Sequence, residues 1–239
     1  MMSPGRASGY FVRMPKPPPL DVLYEDNHLL VVNKPAGLAT QGVAEGTASV
    51  ITRAKEYLKK KYNKPGNVYL GVVSRLDAAV SGVLVVARTS KAADRLTKQF
   101  QSGQVEKIYW ALVERTPEPS EGELSHWVWK DERKGRMEVV SARKPGAQHA
   151  RLSYRTVRKE RLGTLLEVRL HTGRKHQIRL QLAAIGCPIV GDRKYGSHKA
   201  FTEGAIALHC VRLAFEHPTT KKRLEFSAPP PGYWALAKR

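Results

Sequence analysis

Apolar residues along the chain follow two rhythms. β-Branched runs and apolar/polar alternation mark strands: Asp21–Tyr24 and Leu29–Asn33 around a polar turn at Glu25–His28, then Tyr69–Val73 and Val83–Ala87 flanking the polar loop Ser74–Gly82. Further strands are predicted at Val105–Glu114, Glu123–Trp129, Met137–Val140, His149–Arg158, Thr164–His171, Ile206–Phe215 and Arg223–Phe226. Several of these alternate as antiparallel strands with one wet face do. A helical period appears over Thr47–Tyr62, where Val50, Ile51, Ala54 and Leu58 share a face and Asn63-Lys64-Pro65-Gly66 supplies the stop. Ser90 suits the N-cap of a second helix carrying Ala93, Leu96 and Phe100 and stopped by Gly103. Lys175–Ile185 reads as a third, closed by Gly186. Strands and helices do not alternate regularly, so the pattern predicts an α+β fold: a mixed, mostly antiparallel sheet with flanking helices.

Composition adds one strong fact. In 239 residues, 41 Lys+Arg face 21 Asp+Glu, a net charge of +20 with a pI near 10.1. Such an excess fits a polyanionic partner, because phosphates bound by Lys and Arg release their condensed counterions. No basic amphipathic helix stands alone, which favours nucleic acid over a lipid surface. No apolar run approaches the roughly 20 residues of a membrane helix; the longest, Ile206–Phe215, is broken by His209, Cys210 and Arg212. Cys187 and Cys210, the only cysteines, are too isolated for a zinc site or a disulfide framework. They read as reduced, buried thiols of a cytosol-like compartment. Residues 1–20 hold Arg6, Arg13 and Lys16, no acid, and prolines at 15, 17, 18 and 19 that break an amphipathic helix. They are expected to form a disordered, proline-rich tail.

Three segments carry candidate chemistry. Ser74-Arg75-Leu76-Asp77 places a carboxylate at the end of a strand that reads as buried, where an unpaired charge is costly. In extended backbone Arg75 and Asp77 share a side, so a structural ion pair is the ordinary reading. Thr172-Gly173-Arg174-Lys175-His176-Gln177-Ile178-Arg179 puts a glycine turn and many donors at a helix start, a place that favours anions or simple capping. Tyr109, in Lys107-Ile108-Tyr109-Trp110, reads alone as a core tyrosine.

Taken in order, these segments resemble the signature stretches of the RluA-type pseudouridine synthases. The resemblance rests on Asp26–Gly37 with Val31-Val32-Asn33-Lys34-Pro35, Ser74–Thr89 with Arg75-Leu76-Asp77 and Ser81-Gly82, and Lys107-Ile108-Tyr109. It continues through Thr172–Arg179, Gly186–Gly196 with Pro188-Ile189-Val190-Gly191-Asp192 and Tyr195-Gly196, and Leu208-His209, covering roughly residues 21 to 230. It implies one catalytic domain over 21–239 with a sheet split by a basic cleft. The implied activity is conversion of uridine to pseudouridine in structured ribosomal or transfer RNA. Asp77 matches the catalytic aspartate, Tyr109 the tyrosine that packs on the base and helps remove the proton at carbon 5, and Arg179 the basic partner of the aspartate. Leu208 matches the apolar residue closing the pocket. Arg75, Arg174, His176, Gln177 and Lys34 match positions that bind substrate or RNA. The reaction leaves composition unchanged, so no cofactor and no metal is expected. RNA is the implied partner, with no membrane, for a monomer placed in the cytoplasm or an organelle.

The chain departs from the family pattern at Ser74, Lys175 and Gln181, and above all at Ala78-Ala79-Val80, where a basic-acidic-threonine run is usual. The stretch before residue 20 is shorter than the small RNA-binding domain many relatives carry, so target selection is expected to rest on the catalytic domain or its tail. The rival readings are an RNA-binding or ribosome-assembly protein that kept the fold without the reaction, and a nucleoside glycosidase. The latter would want a second carboxylate near Asp77.

Overall fold

The computed structural model describes residues 19–44 and 46–237. The tail expected over residues 1–20 thus lies almost wholly outside the described residues. In chain order the elements are β1 (Asp21–Glu25), β2 (Leu29–Lys34), α1 (Val50–Lys61), β3 (Gly71–Val72), β4 (Ser81–Ala87), α2 (Ser90–Gln101) and β5 (Glu106–Val113). There follow β6 (Glu121–Asp131), β7 (Arg136–Val140), β8 (Gln148–Glu160), β9 (Gly163–Leu170), α3 (Gln177–Ala184), β10 (Leu208–Glu216) and β11 (Arg223–Ser227).

The helices start where their caps dictate. α1 begins at Val50 rather than Thr47 because Ser49 and Thr52 form a reciprocal capping box, and Val50, Ala54 and Leu58 are its buried stripe. In α2 the cap is Thr89, whose hydroxyl accepts from the Ala92 N–H, so Ser90 is the first helical residue instead of the cap. α3 starts at Gln177, two residues later than expected, because His176 adopts a left-handed backbone (φ 53°) and cannot continue the helix inward.

All strands join one sheet in the order β1-β2-β4-β10-β5-β9-β8-β6-β7, with β11 on β10 and β3 on β4. Every pairing is antiparallel except β4 with β10, which is parallel and only two residue pairs long: His209 opposite Ser81, and Cys210 opposite Gly82. This seam unites the two halves of the sheet. β2 covers one edge of β4 along its length, while the other edge meets β10 at Ser81–Gly82 and β3 at Val86–Ala87. The five-residue strand expected at Tyr69–Val73 shrinks to Gly71–Val72 because Gly71 already stands opposite Ala87, the last residue of β4, so Tyr69 and Leu70 run past its end, and Tyr69 is 51% exposed. Between β3 and β10 the sheet parts, and the polar loop 73–80 leads into the gap.

The seam is close-packed. Gly82 sits at φ 119°, and a Cβ there would lie 2.3 Å from the Cys210 carbonyl oxygen, so only glycine lets the strands approach. Beside it His209, fully buried, joins Ser81 Oγ to Nδ1 (2.8 Å) and Nε2 to the Ala228 carbonyl (3.0 Å). A carbonyl only accepts, so Nε2 carries the proton and Nδ1 accepts from Ser81. The main core lies about this seam, and a smaller cluster of Val128, Met137, Ala150 and Leu180 packs α3 onto β6, β7 and β8.

Candidate active site

The gap in the sheet is a cleft of about 450 Å³, and it gathers Asp77, Tyr109, Arg179, Arg75, Arg174, His176, Gln177 and Leu208 on one lining. The distances between them are set by elements far apart in sequence: the loop before β4, β5, the turn into α3, and the first residue of β10.

Asp77 holds its carboxylate at the cleft floor with 30% of the side chain exposed. Its ion-pair partner is Arg179, not Arg75: Arg179 Nη1 donates to Asp77 Oδ2 at 3.0 Å. Arg75 is exposed at the rim. On its other edge Arg179 makes a two-point clamp with Asp192, Nε to Oδ2 at 2.7 Å and Nη2 to Oδ1 at 2.9 Å. The guanidinium also lies 5.1 Å from the centre of the Tyr195 ring. Burial works against its charge, but the bonds to Asp192 and then Asp77 outweigh it and hold the Arg179 pKa above its ordinary value. Asp192 is 1% exposed and tethered by this one cation.

The loop around Asp77 is fastened through its main chain. Thr40 Oγ1 donates to the Leu76 carbonyl and accepts from the Leu76 N–H (2.8 and 3.2 Å). The Ala78 carbonyl accepts from Gly37 N–H (2.8 Å), the Ala79 carbonyl from Ile206 N–H (3.0 Å), and Val80 N–H closes a turn onto the Asp77 carbonyl (3.0 Å). The Ala78-Ala79-Val80 departure therefore removes side chains from a loop whose rigidity comes from backbone bonds.

Lys34, expected to touch RNA, is instead fully buried under this loop. Its ammonium donates to the carbonyls of Pro35, Leu38 and Ala78 (2.9, 2.6 and 3.2 Å). Burial draws its pKa down to about 7 while the charge of Asp77 draws it back. Three carbonyls match the three N–H bonds of an ammonium, which favours the charged form. Lys34 fixes the loop and does not face the cleft.

Gln177 is likewise used internally. Its Oε1 accepts from Thr172 Oγ1 (2.7 Å) and Arg174 N–H (3.0 Å), and its Nε2 donates to the Arg151 carbonyl (3.0 Å). The Thr172 hydroxyl, the Arg174 N–H and the Gln177 amide are thus taken by the chain itself rather than offered to an anion. Arg174 lines the cleft while its Nε donates to the His149 carbonyl (2.9 Å).

His176 is aimed at Asp77, its Nε2 3.7 Å from Oδ2. Tyr195 Oη accepts from Met137 N–H (3.1 Å) and lies 2.8 Å from His176 Nδ1. The phenol proton is then free for Nδ1, which leaves the imidazole proton on Nε2, facing the carboxylate. Burial pushes the His176 pKa down to about 4, against the pull of Asp77, so the ring is a neutral donor. Tyr109, buried on β5 opposite Cys210, has its pKa raised well above the ordinary value, first by burial and then by the Cys210 thiol. A neutral phenol is what it offers the cleft. Leu208 closes the wall beside it.

Asp192 and Tyr195 fell inside a motif but had no role assigned from sequence. The structure supplies the reason for their part: Arg179 lies in a helix whose residues Gln177 to Leu182 are all buried, and a buried guanidinium demands more than one acceptor.

The chain belongs to the RNA pseudouridylate synthase family, whose profile matches residues 28–184. It is 38% identical over 232 residues to ribosomal large subunit pseudouridine synthase D of Xylella fastidiosa, covering 91% of this chain and 68% of that one. It is 34% identical to the protein of the same name from Vibrio cholerae, over 89% and 68% of the two chains. Among solved structures, human RNA pseudouridylate synthase domain containing 4 superposes with a TM-score of 0.74 at 26% identity, over 91% of both chains. Human RNA pseudouridylate synthase domain containing 1 shares the fold, with a TM-score of 0.69 at 24% identity over 98% of this chain and 89% of that one. The enzyme is an RNA pseudouridine synthase. Among the described residues no group of three or more His, Cys, Asp or Glu is placed to hold a metal, and no helix is long and apolar enough to cross a membrane.

Proposed function

We propose that this enzyme isomerises uridines of ribosomal RNA with Asp77 as the reacting carboxylate. The observation that carries the assignment is the chain of contacts Asp77–Arg179–Asp192, which aims one carboxylate into the cleft and buries the other. A target uridine leaves its stack to enter the cleft. Asp77 attacks or stabilises at the sugar as the N1–C1′ bond breaks. The base turns, C5 bonds to C1′, the C5 proton leaves and N1 gains one, so nothing is consumed. Tyr109 packs on the base as a neutral phenol. Arg179 and the Nε2–H of His176 oppose the negative charge of Asp77, and Leu208 excludes water. Ribosomal RNA is favoured over transfer RNA because the relatives from Xylella and Vibrio are named for the large ribosomal subunit. That likeness, and two free cysteines, support action in the cytoplasm as a monomeric catalytic domain over 21–239.

The test is to map pseudouridine in cellular RNA with and without the protein, then assay Asp77→Asn on the mapped site. Asp77→Asn removes the charge and almost no volume, so pseudouridine formation should vanish while RNA binding stays within a few-fold. Near-normal turnover by the Asn variant would sink the assignment. A wild type that binds RNA and forms no pseudouridine would favour the rival, a binding protein on this fold.

A further inference from the structure

We propose that Lys107 forms an anion subsite inside the cleft, taking a phosphodiester group next to the flipped-out uridine. This rests on the reading above and adds to it a contact that grips the backbone from within the pocket. Side chains two apart on a strand share a face, about 7 Å from one another. Lys107 therefore stands on the same face of β5 as Tyr109, one step along the cleft floor. It is only 7% exposed. Its ammonium lies 6.0 Å from the centre of the Phe100 ring on α2, and would be 3.9 Å from a Cβ on Gly173 in the opposite wall. The amino group thus reaches across the cleft to the turn that carries Arg174.

Three lysine and arginine residues are buried among the described residues: Lys34, Lys107 and Arg179. Lys34 has three carbonyls and Arg179 two carboxylates. The Lys107 ammonium has no hydrogen bond and no ion pair to any described residue, only the distant face of the Phe100 ring. A buried cation without a hydrogen-bonding or charged partner costs free energy in the empty protein, and burial accordingly lowers its pKa. Cys210, the group whose charge would favour that of Lys107, is a thiol with its pKa pushed up to about 12, so it supplies no counter-charge. An anion entering the cleft would relieve this. Uridine itself is neutral, whereas each flanking linkage of an RNA chain carries one negative charge. A base held between Asp77 and Tyr109 has its own phosphates within about one nucleotide of Lys107.

The inference is tested on the full chain with Lys107→Met and Lys107→Arg. Without RNA, Lys107→Met should melt at or above the wild-type temperature, since an apolar side chain of similar length replaces an unpaired charge. Uridine 3′,5′-bisphosphate should raise the melting temperature of wild type and Lys107→Arg but not of Lys107→Met, while uridine alone should not discriminate among them. On an RNA stem-loop carrying the mapped uridine, Lys107→Met should raise the half-saturating RNA concentration about tenfold or more. It should flatten the slope of log affinity against log salt by about one and leave the saturated single-turnover rate within a few-fold. A neutral methylphosphonate at one flanking linkage should weaken wild type by that same factor and Lys107→Met hardly at all. The proposal is overturned if the bisphosphate stabilises all three proteins equally or does not stabilise wild type. It is overturned equally if the loss falls on the saturated rate, which would make Lys107 a contact to the base. The bisphosphate arm needs no turnover, so it stands apart from failure of the proposed reaction.

Discussion

Arg179 joins two carboxylates of different standing, one open to the cleft and one sealed behind it. A guanidinium can do this because its fork presents two edges at once, and a lysine cannot. Arg179→Met should therefore cut the saturated single-turnover rate far more than loss of one surface phosphate contact would, and Arg179→Lys should recover only part of it. An Arg179→Met enzyme with weaker RNA binding but an unchanged saturated rate would reduce Arg179 to a phosphate contact. Asp192 is buried and lies outside the cleft lining, so its variants separate positioning from chemistry. Breaking a buried pair from one side costs about 3–5 kcal/mol, and Asp192→Ala should lose stability on that scale in urea melts. Asp192→Asn keeps shape and loses charge, and it should lower the saturated rate with little change in the half-saturating RNA concentration. A rate equal to wild type in a well-folded Asp192→Asn would mean that Arg179 positions Asp77 unaided.

The seam between β4 and β10 is the element on which the cleft depends. Gly82→Ala should fail to fold or melt far below wild type, because the new Cβ meets Cys210 backbone rather than a flexible side-chain end. The seam is also acid-sensitive. His209 has its pKa lowered by burial to about 4 in the folded protein, against about 6.5 when unfolded. Between those values the unfolded chain binds more protons, so this contribution to stability is complete above about pH 6.5 and drains away as pH falls toward 4. His176 adds in the same direction. Urea midpoints from pH 7 to pH 4 should fall steeply for wild type and less steeply for His209→Gln; parallel curves would exclude the seam as the acid-labile joint. Most elements were legible from periodicity: β2, β4, β5 and β9 fall within two residues of expectation. What was not legible was decided by tertiary pairing. Tyr69–Val73 has the right residues for a strand, but its register sets Tyr69 and Leu70 beyond the end of β4. The left-handed His176 is invisible to a helical pattern. The burial of Lys34 depends on three carbonyls that only the folded loops bring together.

For the molecule as a whole, the charge of +20 sets how the cleft meets its substrate. Log affinity for RNA should fall steeply with log salt, for matched and unmatched sequences alike, since each phosphate neutralised adds close to one unit of slope. A flat response would detach the charge from the RNA backbone. The stretches that line the cleft, Asp77 and Arg179 among them, were readable from motifs in order, because each stretch is local. The pairing of those stretches was not, since Asp77 meets Arg179 across 102 positions and Ser81 meets His209 across 128.

Those separations bear on when in its own synthesis the enzyme can first work. Strand β10, which completes the cleft wall with Leu208 and makes the seam, is the tenth of the eleven strands among the described residues. At about 5–20 residues per second, Asp77 leaves the ribosome on the order of ten seconds before β10 follows it. Until then a growing chain carries much of the positive charge but has neither the closed pocket nor the seam. A nascent or C-terminally clipped chain ending before Leu208 should hold RNA without modifying it, so every uridine the enzyme converts must meet a chain from which β10 has already emerged.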